Sequence, residues 1–110
     1  MFKYCMHVWT RLAPIDHLDA RVQSLRRHMI SKGLADVLVY GEGKELPCLN
    51  ELSYVDFDLF SGHELGGLAK SLEEVALKRA EFTLEISEML DHIRVAQDAG
   101  VDILFDPFGN

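Results

Sequence analysis

Residues 51–60 (Glu51-Leu52-Ser53-Tyr54-Val55-Asp56-Phe57-Asp58-Leu59-Phe60) alternate more clearly than any other run in the chain. Val55, Phe57 and Leu59 fall on one side, and Tyr54, Asp56 and Asp58 on the other. A period of two is the signature of a strand whose faces meet different surroundings, so 51–60 is predicted to be a strand. A second alternating run, 2–11, sets Phe2, Tyr4, Met6 and Val8 against Lys3, Cys5, His7, Trp9 and Arg11. Two half-buried strands commit the chain to a sheet, and the segments around them must cover its apolar face.

Those segments read as follows. Pro14 stops the first strand, and Asp16 then caps a helix over about 16–32. Its stripe is Leu18, Val22, Leu25 and Met29, and Gly33 is its C-terminal cap. Residues 36–40 are predicted as a second strand, closed by a hairpin turn at Gly41-Glu42-Gly43. Pro47, Cys48 and Asn50 fall in a connection. Residues 61–99 are helical in composition, with Ser-x-x-Glu capping boxes at Ser61–Glu64 and Ser71–Glu74 and weakening at Gly66-Gly67. Phe82, Leu84 and Ile86 also alternate with their neighbours, a strand pattern at 81–87. Helix-forming flanks at 72–80 and 88–99 favour a helix over 71–99. Gly100 ends it, 101–105 is a last strand, and 107–110 is a short tail.

The 110 residues, 12.5 kDa, suit a single α+β domain spanning 1–110. The order strand, helix, strand, strand, helix, strand predicts a ferredoxin-like βαββαβ fold. It would be a four-stranded antiparallel sheet with two helices on one face and its first and third strands as central neighbours.

Charge narrows the partners. Eleven basic residues against eighteen acidic give −7, which argues against nonspecific binding to nucleic acid or an anionic membrane. The charge is uneven. Residues 1–33 hold six basic residues and two acidic, whereas 34–110 hold five basic and sixteen acidic. That asymmetry can steer a charged partner, and it also serves solubility. Protonating all five histidines would bring the formal charge to −2, so mild acid should weaken a charge-driven association. Cys5 and Cys48 lack the short spacing of zinc or redox motifs and are expected to be free thiols in a reducing compartment. With no signal-peptide core and no apolar run of membrane-spanning length, the expected location is cytoplasmic.

If both helices cover one sheet face, the reverse faces of the first and third strands form an open surface. It would carry Cys5, His7, Trp9 and Arg11 beside Tyr54, Asp56 and Asp58. Such a face must meet water, a ligand or another chain. It could close a symmetric homodimer, or Trp9 and Tyr54 could anchor a basic partner chosen by Asp56 and Asp58. It could also line a cavity in which His7 is a general base oriented by an aspartate.

Other motifs are weaker. His63-Glu64-Leu65-Gly66-Gly67 begins like a zinc-protease helix but has Gly67 where a second His is needed. Glu88 with His92, or Glu81, Glu85 and Glu88, share a helical face, but helix one offers only His17, Asp19 and His28 to complete a metal site. Gly41-x-Gly43 lacks the third glycine of a dinucleotide loop. Cys5 and His7 are too far apart on a strand to pair. Ser24, Ser31, Ser53 and Ser87 have no nucleophile context. RNA binding through the sheet would set Asp56 and Asp58 against phosphate.

No cofactor is implied. The expectation is therefore a small acidic interaction protein that binds and neutralises a basic protein, in the manner of an immunity protein, antitoxin or inhibitor. His7, Trp9, Tyr54, Asp56 and Asp58 would form its binding face. The alternative is a homodimeric α/β-barrel-like enzyme or ligand binder using that same face.

Overall fold

The first strand is the hub of the molecule. The computed structural model describes residues 2–10 and 24–109. Strand β1 (Cys5–Trp9) lies between β2 (Ser24–Met29) and β4 (Asp102–Asp106), and β3 (Asp58–Phe60) lies outside β4. All three pairings are antiparallel, giving an α+β fold on a four-stranded sheet ordered β2-β1-β4-β3. The ferredoxin-like order is not confirmed. The central neighbours are β1 and β4, and among the described residues three helices stand where two were expected: α1 (Lys32–Val39), α2 (Leu65–Lys78) and α3 (Thr83–Ala99).

Two local readings are overturned. Residues 24–29, expected inside a helix over 16–32, are strand β2, residues 30–32 lead into α1, and 16–23 lie outside the described residues. Its helical stripe misled because Leu25 and Met29 are not core residues: they are 60% and 48% exposed. Residues 36–40, expected as a strand, belong to α1 and its C-cap. Ser31 is the N-cap, its hydroxyl accepting from the Leu34 N–H at 3.3 Å. Gly33 therefore opens a helix rather than closing one. The expected hairpin turn at 41–43 instead leads into a short 3₁₀ helix, Glu42–Glu45. A methyl group at Gly43 would sit 2.4 Å from the Leu38 carbonyl oxygen, and this close approach requires glycine. The predicted strand 51–60 survives only at Asp58–Phe60, since Leu49–Glu51 is a 3₁₀ turn and Val55 is exposed.

The C-terminal half follows its sequence more closely. The capping box at Ser61–Glu64 is formed: Ser61 N–H and Oγ both donate to Glu64 Oε1 at 3.0 Å. Those donors hold the Glu64 carboxyl below its usual range. The second box is not formed. Ser71 is inside α2, where its hydroxyl donates to the Pro47 carbonyl at 2.7 Å. Nor is 71–99 one helix, because the backbone leaves helical geometry at Arg79 (φ −130°, ψ 75°) and passes through a 3₁₀ turn, Ala80–Phe82. The competing strand at 81–87 is absent, as Thr83 onward is α3. Gly100 ends α3 in the left-handed region (φ 70°), which allows the reversal into β4.

The apolar side of the sheet carries Tyr4, Met6, Val8, Ile103 and Phe105. It shares one core with Leu65, Leu68, Leu72 and Val75 of α2 and Ile86, Met89, Ile93 and Ala96 of α3. Their spacings of three and four residues put each set on one helical face. No helix among the described residues is long and apolar enough to cross a membrane.

Candidate functional site

The five predicted site residues do not share one open face. His7 and Trp9 are fully buried, as is every residue of β1. The face expected to be free is buried there, where Trp9 and Leu104 form a second apolar cluster with Phe57 and Leu59 packed against it. Tyr54 lies with the main core instead. Its ring meets Tyr4 and Tyr40 at 5.4 Å and Phe2 at 5.7 Å, all edge-on, and its hydroxyl donates to Asp36 Oδ1 at 2.6 Å. Burial and that carboxylate push the Tyr54 phenol well up, and the same bond, helped by Lys32, pulls Asp36 down. Asp58 accepts from the Ser53 N–H at 3.2 Å, yet partial burial, with Asp56 and Glu51 nearby, raises its carboxyl to about 6. Asp56 is exposed, and its carboxylate accepts from the Phe57 N–H at 3.1 Å.

The buried polar chemistry gathers elsewhere. His7 reaches diagonally across the sheet in both directions: its Nδ1 is 2.9 Å from Ser24 Oγ on β2, and its Nε2 is 3.2 Å from Asp106 Oδ2 on β4. Asp106 and His7 are both fully buried, and Asp106 Oδ1 accepts from the Phe108 N–H at 2.8 Å. Ser24 Oγ also donates to the Arg26 carbonyl at 3.1 Å. Beside Ser24 lies an open cavity of about 280 Å³ whose lining, among the described residues, is Ser24, Leu25, Arg26 and Arg27. Sequence reasoning missed Ser24 because the helical reading of 16–32 removed it from the sheet. It missed Asp106 because the partners lie 99 positions apart in the chain.

A second polar cluster joins α3 to β2 and to the start of α1. Glu85 accepts from the Ser31 N–H at 2.8 Å, the Ser31 hydroxyl at 2.6 Å and His28 Nε2 at 3.1 Å. The His28 ring meets His92 edge-on at 5.7 Å, and His92 Nδ1 donates to the Glu88 carbonyl at 2.9 Å. Among the described residues no three His, Cys, Asp or Glu side chains are arranged to hold a metal ion. Of Glu88, the backbone carbonyl meets His92, and the carboxylate, 60% exposed, lies 3.7 Å from His28 Nδ1.

The outer surface of α3 has a different character. Leu84, 77% exposed, shares a helical face with Glu88 and Asp91, four and seven residues on, while Glu81 is exposed in the turn just before α3 and the Glu88 carboxylate lies 3.7 Å from His28 Nδ1. Residues 80–106 contain seven acidic residues and one basic, Arg94. Glu81 is bridged by Arg79 at 2.9 Å and Asp91 by Arg94 at 3.1 Å, both in solvent, where such pairs hold weakly and can exchange.

No family model, curated protein or solved structure matches the chain.

Proposed function

We propose that the chain is a small acidic interaction protein that binds and neutralises a basic protein in the cytoplasm, in the manner of an immunity protein or inhibitor. The observation that carries the reading is the outer face of α3, where the exposed Leu84 stands beside Glu88 and Asp91, with Glu81 exposed in the turn just before. An exposed apolar side chain beside carboxylates suits a partner that presents an apolar pocket ringed by Lys or Arg. The leucine anchors, and the charges select and accelerate the encounter. The binding face thus moves from the residues read in the sequence, of which His7 and Trp9 are sealed in the sheet, to α3.

The test compares immobilised wild-type chain with a Glu81→Lys/Glu88→Lys/Asp91→Lys variant, both exposed to an extract of the cells that make the chain. The reading expects one basic protein retained by the wild type, released as salt is raised, and not held by the variant. Capture that ignores the three substitutions, or only neutral and acidic proteins captured, overturns it.

A further inference from the structure

We propose that Ser24, His7 and Asp106 form a nucleophilic relay that hydrolyses small carboxylic esters bearing a negative charge, in the cavity lined by Ser24, Leu25, Arg26 and Arg27. This activity is independent of the α3 docking face. The trio has the chemical order such catalysis needs: a hydroxyl beside one imidazole nitrogen, and a carboxylate fixing the other. The ring runs opposite to the familiar serine-hydrolase arrangement, with Nδ1 toward the hydroxyl and Nε2 toward the carboxylate. Either nitrogen can accept while the other carries the proton, so the relay is chemically complete in this sense too.

The supporting geometry is built into three neighbouring strands. Asp106 is held by the Phe108 N–H and faces His7 out of water, so Nε2–H donates to it and Nδ1 is left to accept. Of the three, only Ser24 is not fully buried, and it lines the cavity. In the conformer seen, the Ser24 hydroxyl donates to the Arg26 carbonyl, and a turn about its C–O bond redirects it to His7. Arg26 and Arg27 also line the cavity, and Arg27, opposite His7 in the β1–β2 register, stands on the sheet face of His7, where its guanidinium can pair with an anionic substituent.

The step balances without a cofactor. Ser24 Oγ attacks the ester carbonyl as its proton moves to His7 Nδ1. The tetrahedral adduct collapses, the C–O bond to the alcohol breaks, and His7 returns the proton to that leaving oxygen. Water, deprotonated by His7 in its turn, then cleaves the acyl–Oγ bond. The products are one acid and one alcohol, and Ser24 recovers its hydrogen.

The probes are a fluorophosphonate, 4-nitrophenyl acetate and the mono-4-nitrophenyl ester of succinate, applied to the full chain and to Ser24→Ala, Asp106→Asn and Arg27→Gln. The expected result is a phosphonyl adduct on the peptide containing Ser24, and faster hydrolysis of the succinate ester than of the acetate. Ser24→Ala, a change at a partly exposed site, should lose both with an unchanged circular dichroism spectrum. The loss in rate should be about 100-fold or more. Asp106→Asn should slow labelling, and Arg27→Gln should erase the preference for the anionic ester. Wild-type chain that hydrolyses no faster than Ser24→Ala, or that is labelled elsewhere, overturns the proposal. Equal rates on the two esters overturn the anionic specificity.

Discussion

Replacing Asp58 by Asn should stabilise the protein at neutral pH and do almost nothing at pH 4. The Asp58 carboxyl rises from an ordinary 3.8 to about 6, chiefly because burial disfavours its charge. A folded pKa above the unfolded one means that the native state holds the proton more tightly. Stability from this group is therefore full below about pH 4, falls as pH rises through the window from 4 to 6, and stays low above it. A rise of that size corresponds to roughly 3 kcal/mol, which partial exposure and solvent screening reduce to about 1–2 kcal/mol. Asn keeps the oxygen that accepts from the Ser53 N–H and removes the charge. Urea denaturation followed by far-UV circular dichroism at pH 4, 5, 6 and 7.5 measures the difference between variant and wild type, in which most other titrations cancel. An Asn variant gaining about 1–2 kcal/mol at pH 7.5 and nearly nothing at pH 4 is the expected pattern. A difference that does not change with pH, or a variant weaker at pH 7.5, would refute the desolvation argument.

Glu85→Ala should cost about 2–3 kcal/mol in the same assay, because one carboxylate satisfies the Ser31 N–H, the Ser31 hydroxyl and His28. Combined with Ser31→Ala, the loss should fall short of the sum of the two single losses, since both variants break the same bond. Gly43→Ala should cost at least about 2 kcal/mol, as its methyl meets the Leu38 backbone within 3 Å at several atoms. Gly66→Ala, with open space around it near the start of α2, should instead raise thermal stability by about 0.5 kcal/mol.

How far the fold could be read depended on whether burial matched periodicity. Strands β1 and β4, the Ser61–Glu64 cap, the helical composition of 61–99 and the Gly100 stop were legible in local chemistry, but the burial of β1 was not, because its sequence alternates while all five of its residues are buried. Val37, Leu38 and Val39 are buried on all sides, so their run carries no period, and a short apolar run reads equally as strand or helix. Among the described residues β2 is an edge strand, and its Leu25 and Met29 are exposed, leaving only an accidental helical stripe. The wrong strand order followed from those two exchanges. His7 was singled out in the sequence, but its partners come from two other strands, and no local pattern announces Ser24 or Asp106. The α3 face was hidden for another reason. Leu84 was counted toward a strand pattern, and its isolation among carboxylates appears only when the helix is wound.

The docking claim meets its most direct test at Leu84 itself. With a photo-crosslinking residue at position 84, irradiation in extract of the producing cells should join the chain to one basic protein, and raised salt should diminish the yield. The same residue at Asn50, exposed on the connection before β3, should give no such adduct. Absence of an adduct at 84, or one that forms equally at both positions, would contradict recognition through α3.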